Sequence, residues 1–159
     1  MKMDNLWAPW RVKYLKKKSS KACLLCKFAK NKKDDRKNYV IMRSNLSFAL
    51  LNIYPYNNGH LMISAIRHVK DLEALTPEEI IDIFNILKKA KLRLDKILKP
   101  HGYNIGINVG RVAGAGIAGH LHIHLVPRWR GDTNFMPVAS GIKVIPQSLK
   151  ELHKQLCQK

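Results

Sequence analysis

The most constraining stretch of this sequence is GHLHIHLVPRW, residues 119–129. His120, His122 and His124 occupy every second position, and each is followed by leucine or isoleucine. Successive side chains of a β-strand point to opposite faces, so this alternation predicts a strand with one imidazole face and one aliphatic face. Pro127 is predicted to end the hydrogen-bonded ladder, because proline has no backbone N–H.

The three imidazoles of this row are too widely spaced to bind one metal ion together. Neighbouring side chains on one face of a strand are about 6.6 Å apart, and the outer pair about 13 Å. Zinc holds its nitrogen ligands at about 2.0–2.1 Å. We therefore expect the three histidines to have different roles. A solvent-facing strand surface that uses histidine without a functional reason is the alternative.

Length and composition are those of one globular domain. The chain has 159 residues, of which 46% are hydrophobic and 25% charged, and this is enough for a hydrophobic core. No apolar run reaches the ~20 residues of a membrane span. The first 15 residues contain no uninterrupted apolar segment of a signal peptide. We therefore predict a cytoplasmic protein that does not interact with membranes.

Positive charge dominates the chain, above all at its beginning. The formal net charge is +18, and 13 of the 29 Lys and Arg residues fall in residues 1–37. Such a field attracts the phosphates of nucleotides, polyphosphates or nucleic acids, although a lysine-rich surface that favours solubility explains it equally well. We predict a single domain, residues 1–159, in which a basic arm (1–37) precedes the core (38–159).

Two cysteines, Cys23 and Cys26, form a C-x-x-C pair, and Cys157 lies alone near the C-terminus. Without an export signal, a disulfide framework is not expected. A close pair in a cytosolic protein is typical of a metal site or a redox site, and the spacing alone does not choose between them.

The remaining periodicity predicts an α+β domain with an antiparallel sheet. Thr76, Pro77 and Glu79 match a capping box with proline at the first helical position, so a long helix begins there and should end before Pro100. A second helix is predicted near the C-terminus. Besides the histidine strand, strands are predicted at residues 38–42, 47–51, 60–64 and 103–110, with a further short one at 142–145.

Histidine is suited to nucleophilic chemistry at neutral pH. Its reference pKa is near 6.5, so most of it is uncharged, and a hydrogen bond to one ring nitrogen fixes the tautomer while the other attacks. Attack on phosphorus would form a labile phosphoramidate. The glycine-rich segment RVAGAGIAG, residues 111–119, could supply backbone N–H groups to the phosphate. A flexible connection is the alternative for this segment.

These motifs together resemble the histidine triad (HIT) superfamily, whose signature is His-φ-His-φ-His-φ-φ with φ apolar. HLHIHLV fits it at every position. The bacterial diadenosine tetraphosphate phosphorylase/hydrolase branch is similar in the segments LWAPWR, LLNIYPYNNGHLMIS, NIGINVGRVAGAGIAG and GDTNFMPV. The resemblance implies the HIT fold, with an antiparallel sheet of about five strands, one long helix and a C-terminal helix. It also implies a homodimer, in which the aromatic N-terminal segment LWAPWRVKYL would suit an interface.

The resemblance implies roles for individual residues. His122 would be the nucleophile that takes up the nucleotidyl group, and His124 would contact the phosphate under attack. His60 would support the triad, and Asn52 would bind the ribose. A buried strand histidine and a turn residue are the ordinary structural alternatives for these last two. The other implied substrate-binding residues are Leu51 and Ile53 beside the base, and Asn108, Gly114 and Gly116.

A zinc site is also implied. Many bacterial HIT proteins with such a cysteine pair complete it with a histidine from a P-x-x-H-like segment and with the first triad histidine, which here are His68 and His120. Together with Cys23 and Cys26 they would form a closed tetrahedral structural set. His120 would then hold the metal while His122 carries out the chemistry. A cysteine pair without metal is the alternative.

One position departs from the family pattern. Many members have a glutamine four residues before the first triad histidine, where this chain has Gly116. The contact that this glutamine usually makes near the phosphates or the leaving group must be replaced or absent here.

We therefore expect a HIT hydrolase or phosphorylase that acts on dinucleoside polyphosphates through a nucleotidyl-histidine intermediate, with no organic cofactor. Water as the final acceptor makes a hydrolase, and inorganic phosphate makes a phosphorylase. An adenosine phosphoramidase-type HIT hydrolase is an alternative. A zinc-stabilised basic module that binds nucleic acid is a rival from another class. It explains the charge, but the basic arm lacks the spaced aromatic residues on which single strands stack.

Overall fold

The structure, a computed structural model, describes residues 22–133 and 144–158. The predictions for LWAPWRVKYL and for most of GDTNFMPV lie outside the described residues. Of the predicted strand at 142–145, only Val144 and Ile145 are described, and neither is in a strand. The elements of the described residues are α1 (Leu24–Lys30), β1 (Val40–Arg43), β2 (Ser47–Leu51), β3 (Leu61–Ala65), α2 (Pro77–Leu98), β4 (Gly102–Ile107), β5 (His122–Arg128) and α3 (Leu149–Cys157).

The strands form one antiparallel sheet in the order β1-β2-β3-β5-β4. In the pairing of β3 with β5, Met62 lies opposite His124 and Ser64 opposite His122. This confirms the predicted α+β class and the predicted strands other than the one at 142–145. None of the helices in these parts of the chain is long and apolar enough to cross a membrane.

Alternating side chains divide the core between the two faces of the sheet. One cluster packs α2 and α3 against residues such as Ile63, Ile123 and Leu125. The other packs Leu25 of α1 against Met62 and other residues of the opposite face. Since Met62 is paired with His124, the imidazole face of β5 is the face that α1 partly covers.

The long helix α2 begins and ends as its sequence predicts. The Thr76 hydroxyl accepts a hydrogen bond from the Glu79 N–H at 3.2 Å, and the Glu79 carboxylate accepts one from the Thr76 N–H at 2.9 Å. The helix ends at Leu98, and Lys99 follows it in the left-handed conformation with φ 46°. The capping box is confirmed.

The histidine strand differs from its prediction at both ends. β5 begins at His122 and not at His120. The N–H of the residue before it, Leu121, does not bond to β3, which ends at Ala65, because it donates to the carbonyl of Val69 at 2.7 Å. At the other end, Pro127 lies inside the strand. Leu125 is opposite the first residue of β3, and beyond it β5 pairs only with β4. The N–H that Pro127 lacks therefore costs no hydrogen bond to β3.

The sequence analysis also missed α1 within the basic arm. This helix has seven residues, too few for a helical period to be recognised. It is attached by Leu25 and by Arg43, whose guanidinium donates to the carbonyls of Phe28 at 2.7 Å and Ala29 at 3.3 Å. A paired carboxylate, Asp35, holds that guanidinium in place.

Candidate active site and metal centre

Two neighbouring strands bring three of the predicted histidines together. His122 and His124 are on β5, and His60 immediately precedes β3. All three side chains are buried, with relative exposures of 4%, 8% and 0%. The ring centroids of His122 and His124 are 4.9 Å apart, and those of His60 and His124 5.0 Å. The predicted catalytic histidines therefore form one cluster.

The His122 ring is held in a single tautomer. Its Nδ1 lies 2.8 Å from the carbonyl oxygen of His120. A carbonyl oxygen can only accept, so Nδ1 carries the proton and Nε2 carries a lone pair. Burial lowers the pKa of His122, which keeps that lone pair free at neutral pH. This is the state that a nitrogen nucleophile requires.

A chain of hydrogen bonds fixes the tautomers of the other two rings. The backbone N–H of Tyr56 donates to Nδ1 of His60 at 3.0 Å. His60 must then donate from Nε2, and the acceptor is Nδ1 of His124 at 2.9 Å. The proton of a neutral His124 is therefore on Nε2. That atom is buried and has no hydrogen-bond partner among the described residues.

Burial keeps these two imidazoles neutral. It lowers the pKa of His60 to about 3, and the nearby His124 and His122 add to the effect. The pKa of His124 is lowered to about 4, again by burial first and then by His122. At neutral pH the cluster therefore combines a lone pair on His122 Nε2 with an N–H on His124 that no described residue accepts.

Asn52 and its neighbours differ in what they can offer a ligand. The Asn52 side-chain oxygen accepts from the Tyr54 N–H at 2.9 Å, and its amide nitrogen lies 3.4 Å from Nδ1 of His60. Ile53 is 48% exposed, whereas Leu51 is 1% exposed and belongs to the core under α2. Leu51 therefore offers no side-chain surface to a nucleotide base, contrary to our prediction.

The glycine-rich segment connects β4 to the histidine strand. The Gly114 N–H is used within the segment, bonding to the Arg111 carbonyl at 3.0 Å, and Gly114 has a φ of 90°. Gly116 is exposed, and Asn108 is half-buried just after β4. The Gly114 N–H is therefore already hydrogen-bonded within the loop. It is not available to a phosphate, although we predicted that this loop supplies such donors.

The four predicted metal ligands also come together. Ligand atoms of Cys23, Cys26, His68 and His120 all lie within 4.8 Å of one another. The Cys26 sulfur is 3.1 Å from Nδ1 of His68, and the Cys23 sulfur is 3.3 Å from Nδ1 of His120. The bond lengths of zinc to sulfur and nitrogen place tetrahedral ligand atoms about 3.3–3.8 Å apart. The cluster therefore has the size of a tetrahedral metal site.

Its hydrogen bonds also suit a metal. Nε2 of His120 is 3.0 Å from the Ala65 carbonyl oxygen, so it carries the proton and leaves Nδ1 free toward the cysteines. Such an outer hydrogen bond is typical of metal-binding histidines. Burial raises the pKa of Cys26, and the neighbouring Cys23 adds to this. Two imidazole nitrogens facing the thiols complete a four-ligand set, which a metal site needs and a dithiol redox pair does not.

Sequence reasoning missed the contribution of Tyr56. Its backbone N–H sets the tautomer of His60, and its ring stacks on the His60 ring with centroids 4.7 Å apart. The residue lies in a segment that reads only as a turn, and a backbone donor leaves no signal in the amino-acid sequence. Only the path of the chain between β2 and β3 reveals it.

Comparisons with known proteins agree with this geometry. The sequence model of the family described as "HIT domain" matches residues 33–131. AP-4-A phosphorylase of Mycobacterium tuberculosis is 39% identical over 97% of this chain and 83% of its own length. An asymmetrical bis(5'-nucleosyl)-tetraphosphatase of Schizosaccharomyces pombe is 36% identical over 58% of this chain and 50% of its own. The solved structure of a Zn-bound histidine triad family protein from Mycobacterium smegmatis superimposes with a TM-score of 0.68 at 24% identity, over 87% and 93% of the two chains.

Proposed function

Because this chain belongs to the HIT family, we propose that it is an enzyme that splits dinucleoside polyphosphates by nucleotidyl transfer through His122. The observation that carries the proposal is the pairing of a lone pair on His122 Nε2 with an unpaired buried N–H on His124. The similarity to AP-4-A phosphorylase supports diadenosine tetraphosphate as the type of substrate.

The reaction takes place in two displacements. The lone pair of His122 Nε2 forms a bond to the α-phosphorus, and the bond from phosphorus to the bridging oxygen breaks with its electron pair on the leaving group. An acceptor oxygen then attacks the same phosphorus, loses its proton, and returns the electron pair to Nε2. From diadenosine tetraphosphate, the first step releases ATP. The second step gives AMP with water or ADP with inorganic phosphate.

His124 and His60 have distinct parts in this scheme. The Nε2–H of His124 donates to the phosphate oxygens, on which negative charge increases as the nucleophile attacks. His60 acts through His124, because it accepts from the Tyr56 N–H and donates to His124 Nδ1. His60 is thus a positioning residue, and His124 is a catalytic residue.

For the nucleoside, we propose Asn52 as the ribose contact and Ile53 as the apolar surface beside the base. Asn52 retains a side-chain N–H for a ribose hydroxyl, and Ile53 is exposed next to it. Asn108 and Gly116 follow β4 on the approach to β5 and remain proposed phosphate or leaving-group contacts. Gly114 is proposed to shape this loop through its positive φ and not to donate its N–H.

The cysteine–histidine cluster is proposed to hold a structural zinc ion. The proposed ligands are Cys23, Cys26, His68 and His120. A site closed by four protein ligands stabilises the fold and leaves no coordination position open for a substrate. The support is the ligand spacing and the hydrogen bond from His120 to Ala65. Through its carbonyl oxygen, His120 also orients His122.

A homodimer that is formed through the β4 edge is part of the same proposal. β4 is the edge strand next to β5, so its outer hydrogen-bonding groups are available to a second copy. Beside this edge, Ile80, Phe84 and Ile105 are 41%, 59% and 52% exposed. The cytoplasmic location stays a prediction from the sequence.

Product analysis tests the proposed function. Diadenosine tetraphosphate is incubated with the protein, with and without inorganic phosphate. We expect ATP together with AMP or ADP, and ADP in place of AMP if the enzyme is a phosphorylase. Symmetric cleavage to ADP without phosphate would contradict attack at the α-phosphorus. Cleavage of adenosine 5'-phosphoramidate with no action on the tetraphosphate would instead favour the phosphoramidase alternative.

A further inference from the structure

A separate cavity lies at the β1 edge of the sheet, between α2 and α3. Its volume is about 610 Å³. Four cationic side chains line it, namely Arg43, Lys89, Arg93 and Lys96, and none of the acidic residues that the structure describes does. It includes no residue of the histidine cluster or of the metal centre, and β4 with its proposed dimer contact is at the other edge of the sheet.

The three cations that α2 contributes to this cavity have no acidic partner among the described residues, although Arg93 donates to the Leu156 carbonyl at 2.8 Å and Arg43, from β1, pairs with Asp35. Lys89, Arg93 and Lys96 are spaced i, i+4 and i+7, so they share one face of α2 over about 10 Å. Like charges at such spacings destabilise a helix. In the described part of the chain, none of the three forms an ion pair, whereas Lys91 pairs with Asp95 at 2.7 Å on another face.

Apolar and amide groups complete the lining. Leu92 lies among the cations and is 58% exposed, and Ile97 and Gln155 also contribute. The volume is in the range of small-molecule sites. Within residues 22–133 and 144–158, no aromatic side chain lines the cavity, and single-stranded nucleic acids need such side chains for stacking. These features favour a small polyanion over a nucleic acid strand.

We propose that this cavity is a second anion-binding site, which takes a short chain of linked phosphate groups, either free or as the phosphate tail of a nucleotide. Long, flexible lysine and arginine side chains along two helical turns can converge on one such chain. Leu92 and Ile97 offer an apolar wall to a nucleoside. The site does not depend on the reaction proposed for His122.

Calorimetric titration of the full chain tests this site, with sodium tripolyphosphate and ATP as separate probes. The variant Lys89→Glu/Lys96→Glu reverses two charges at the cavity. The control Lys88→Glu/Lys99→Glu makes the same charge change on exposed residues of the same helix and its cap that do not line the cavity. We expect the cavity variant to weaken tripolyphosphate binding at least tenfold and the control less than twofold. ATP is also a product of the reaction proposed for His122, so only the part of its binding that the cavity variant loses reports on the cavity. A larger loss for ATP than for tripolyphosphate would identify a nucleotide as the ligand, and equal losses would identify free polyphosphate.

Three results would overturn the proposal. Equal weakening by both variants would show only the general attraction of a chain with net charge +18. No weakening by either would show that phosphate chains bind at the histidine cluster alone. Binding of a twelve-residue oligouridylate that is tighter than that of tripolyphosphate, and lost in the cavity variant, would make the surface a nucleic-acid site. Circular dichroism on each variant ensures that only folded proteins are compared.

Discussion

At the scale of single residues, the proposed chemistry depends on which ring nitrogen of His60, His122 and His124 carries the proton. Carbonyl and N–H groups of the backbone decide this, since the His120 carbonyl fixes His122 and the Tyr56 N–H fixes His60. The types and spacing of the histidines could be read from the sequence. Their tautomers could not, because they depend on backbone atoms that any residue possesses.

The roles of His124 and His60 predict unequal and non-additive losses. His124→Ala removes a donor to the developing charge and should lower kcat by about 10²–10³. His60→Ala leaves that donor in place but unoriented, so its loss should be smaller, about tenfold. In a double-mutant cycle, the double variant should be no slower than His124→Ala. Fully additive losses would show that His60 acts independently of His124.

The lowered pKa values of His60 and His124 predict how stability changes with pH. In the unfolded chain both titrate near pH 6.5, but in the folded protein the pKa is lowered to about 3 for His60 and to about 4 for His124. Unfolding therefore takes up protons between these limits, and the free energy of unfolding falls as pH falls from about 6.5, by up to about 1.4 kcal/mol per pH unit for each proton.

Denaturant unfolding at pH 7, 6 and 5 measures this effect. His60→Gln should lose part of the slope that the wild-type protein shows. A His60→Gln slope equal to that of the wild type would show that His60 is not held neutral by the fold.

At the scale of elements, the sequence predicts best where local chemistry is sufficient. The α2 capping box involves only Thr76 and Glu79, three residues apart, and it forms as expected. The position of Pro127 depends on where β3 begins, and the burial of Leu51 depends on which face of β2 meets α2. Both are set by contacts between distant segments, which alternation alone does not contain.

The attachment of α1 gives a prediction for the metal. α1 is short and carries Cys26, while Cys23 is its N-cap. Metal binding would therefore join this helix to His68 and to His120. We expect about one zinc per chain, and a melting temperature that falls on chelation. Cys26→Ser should lose the zinc and melt earlier, whereas Cys157→Ser, at an exposed cysteine outside the cluster, should change neither. Zinc-free protein whose melting is unchanged in Cys26→Ser would contradict a structural metal.

At the scale of the whole molecule, the two sheet edges are expected to serve different contacts. The β4 edge carries the apolar residues Ile80, Phe84 and Ile105, and the β1 edge carries the cationic cavity. The resemblance implied a dimer, and the chain order alone did not reveal which edge would be exposed. Only the strand order β1-β2-β3-β5-β4 makes β4 an edge.

The dimer contact can be tested by sedimentation. Phe84→Glu places a charge in the proposed interface and should convert the dimer to a monomer. Leu92→Glu is the matched control, because Leu92 is 58% exposed on another face of the same helix, and it should remain dimeric. A dimer that persists in Phe84→Glu, or a wild-type monomer, would contradict the β4-edge interface.

The covalent role of His122 is the central claim, and the stereochemical course at the α-phosphorus tests it most directly. A dinucleoside tetraphosphate with a chiral phosphorothioate at the α-position is turned over in oxygen-18-labelled water, so that the released nucleotide is chiral at phosphorus whether water or inorganic phosphate is the acceptor, and its configuration is determined. Two successive displacements, first by His122 Nε2 and then by the acceptor, each invert the phosphorus, so the account predicts net retention. Net inversion would show a single direct displacement and would contradict a nucleotidyl-histidine intermediate.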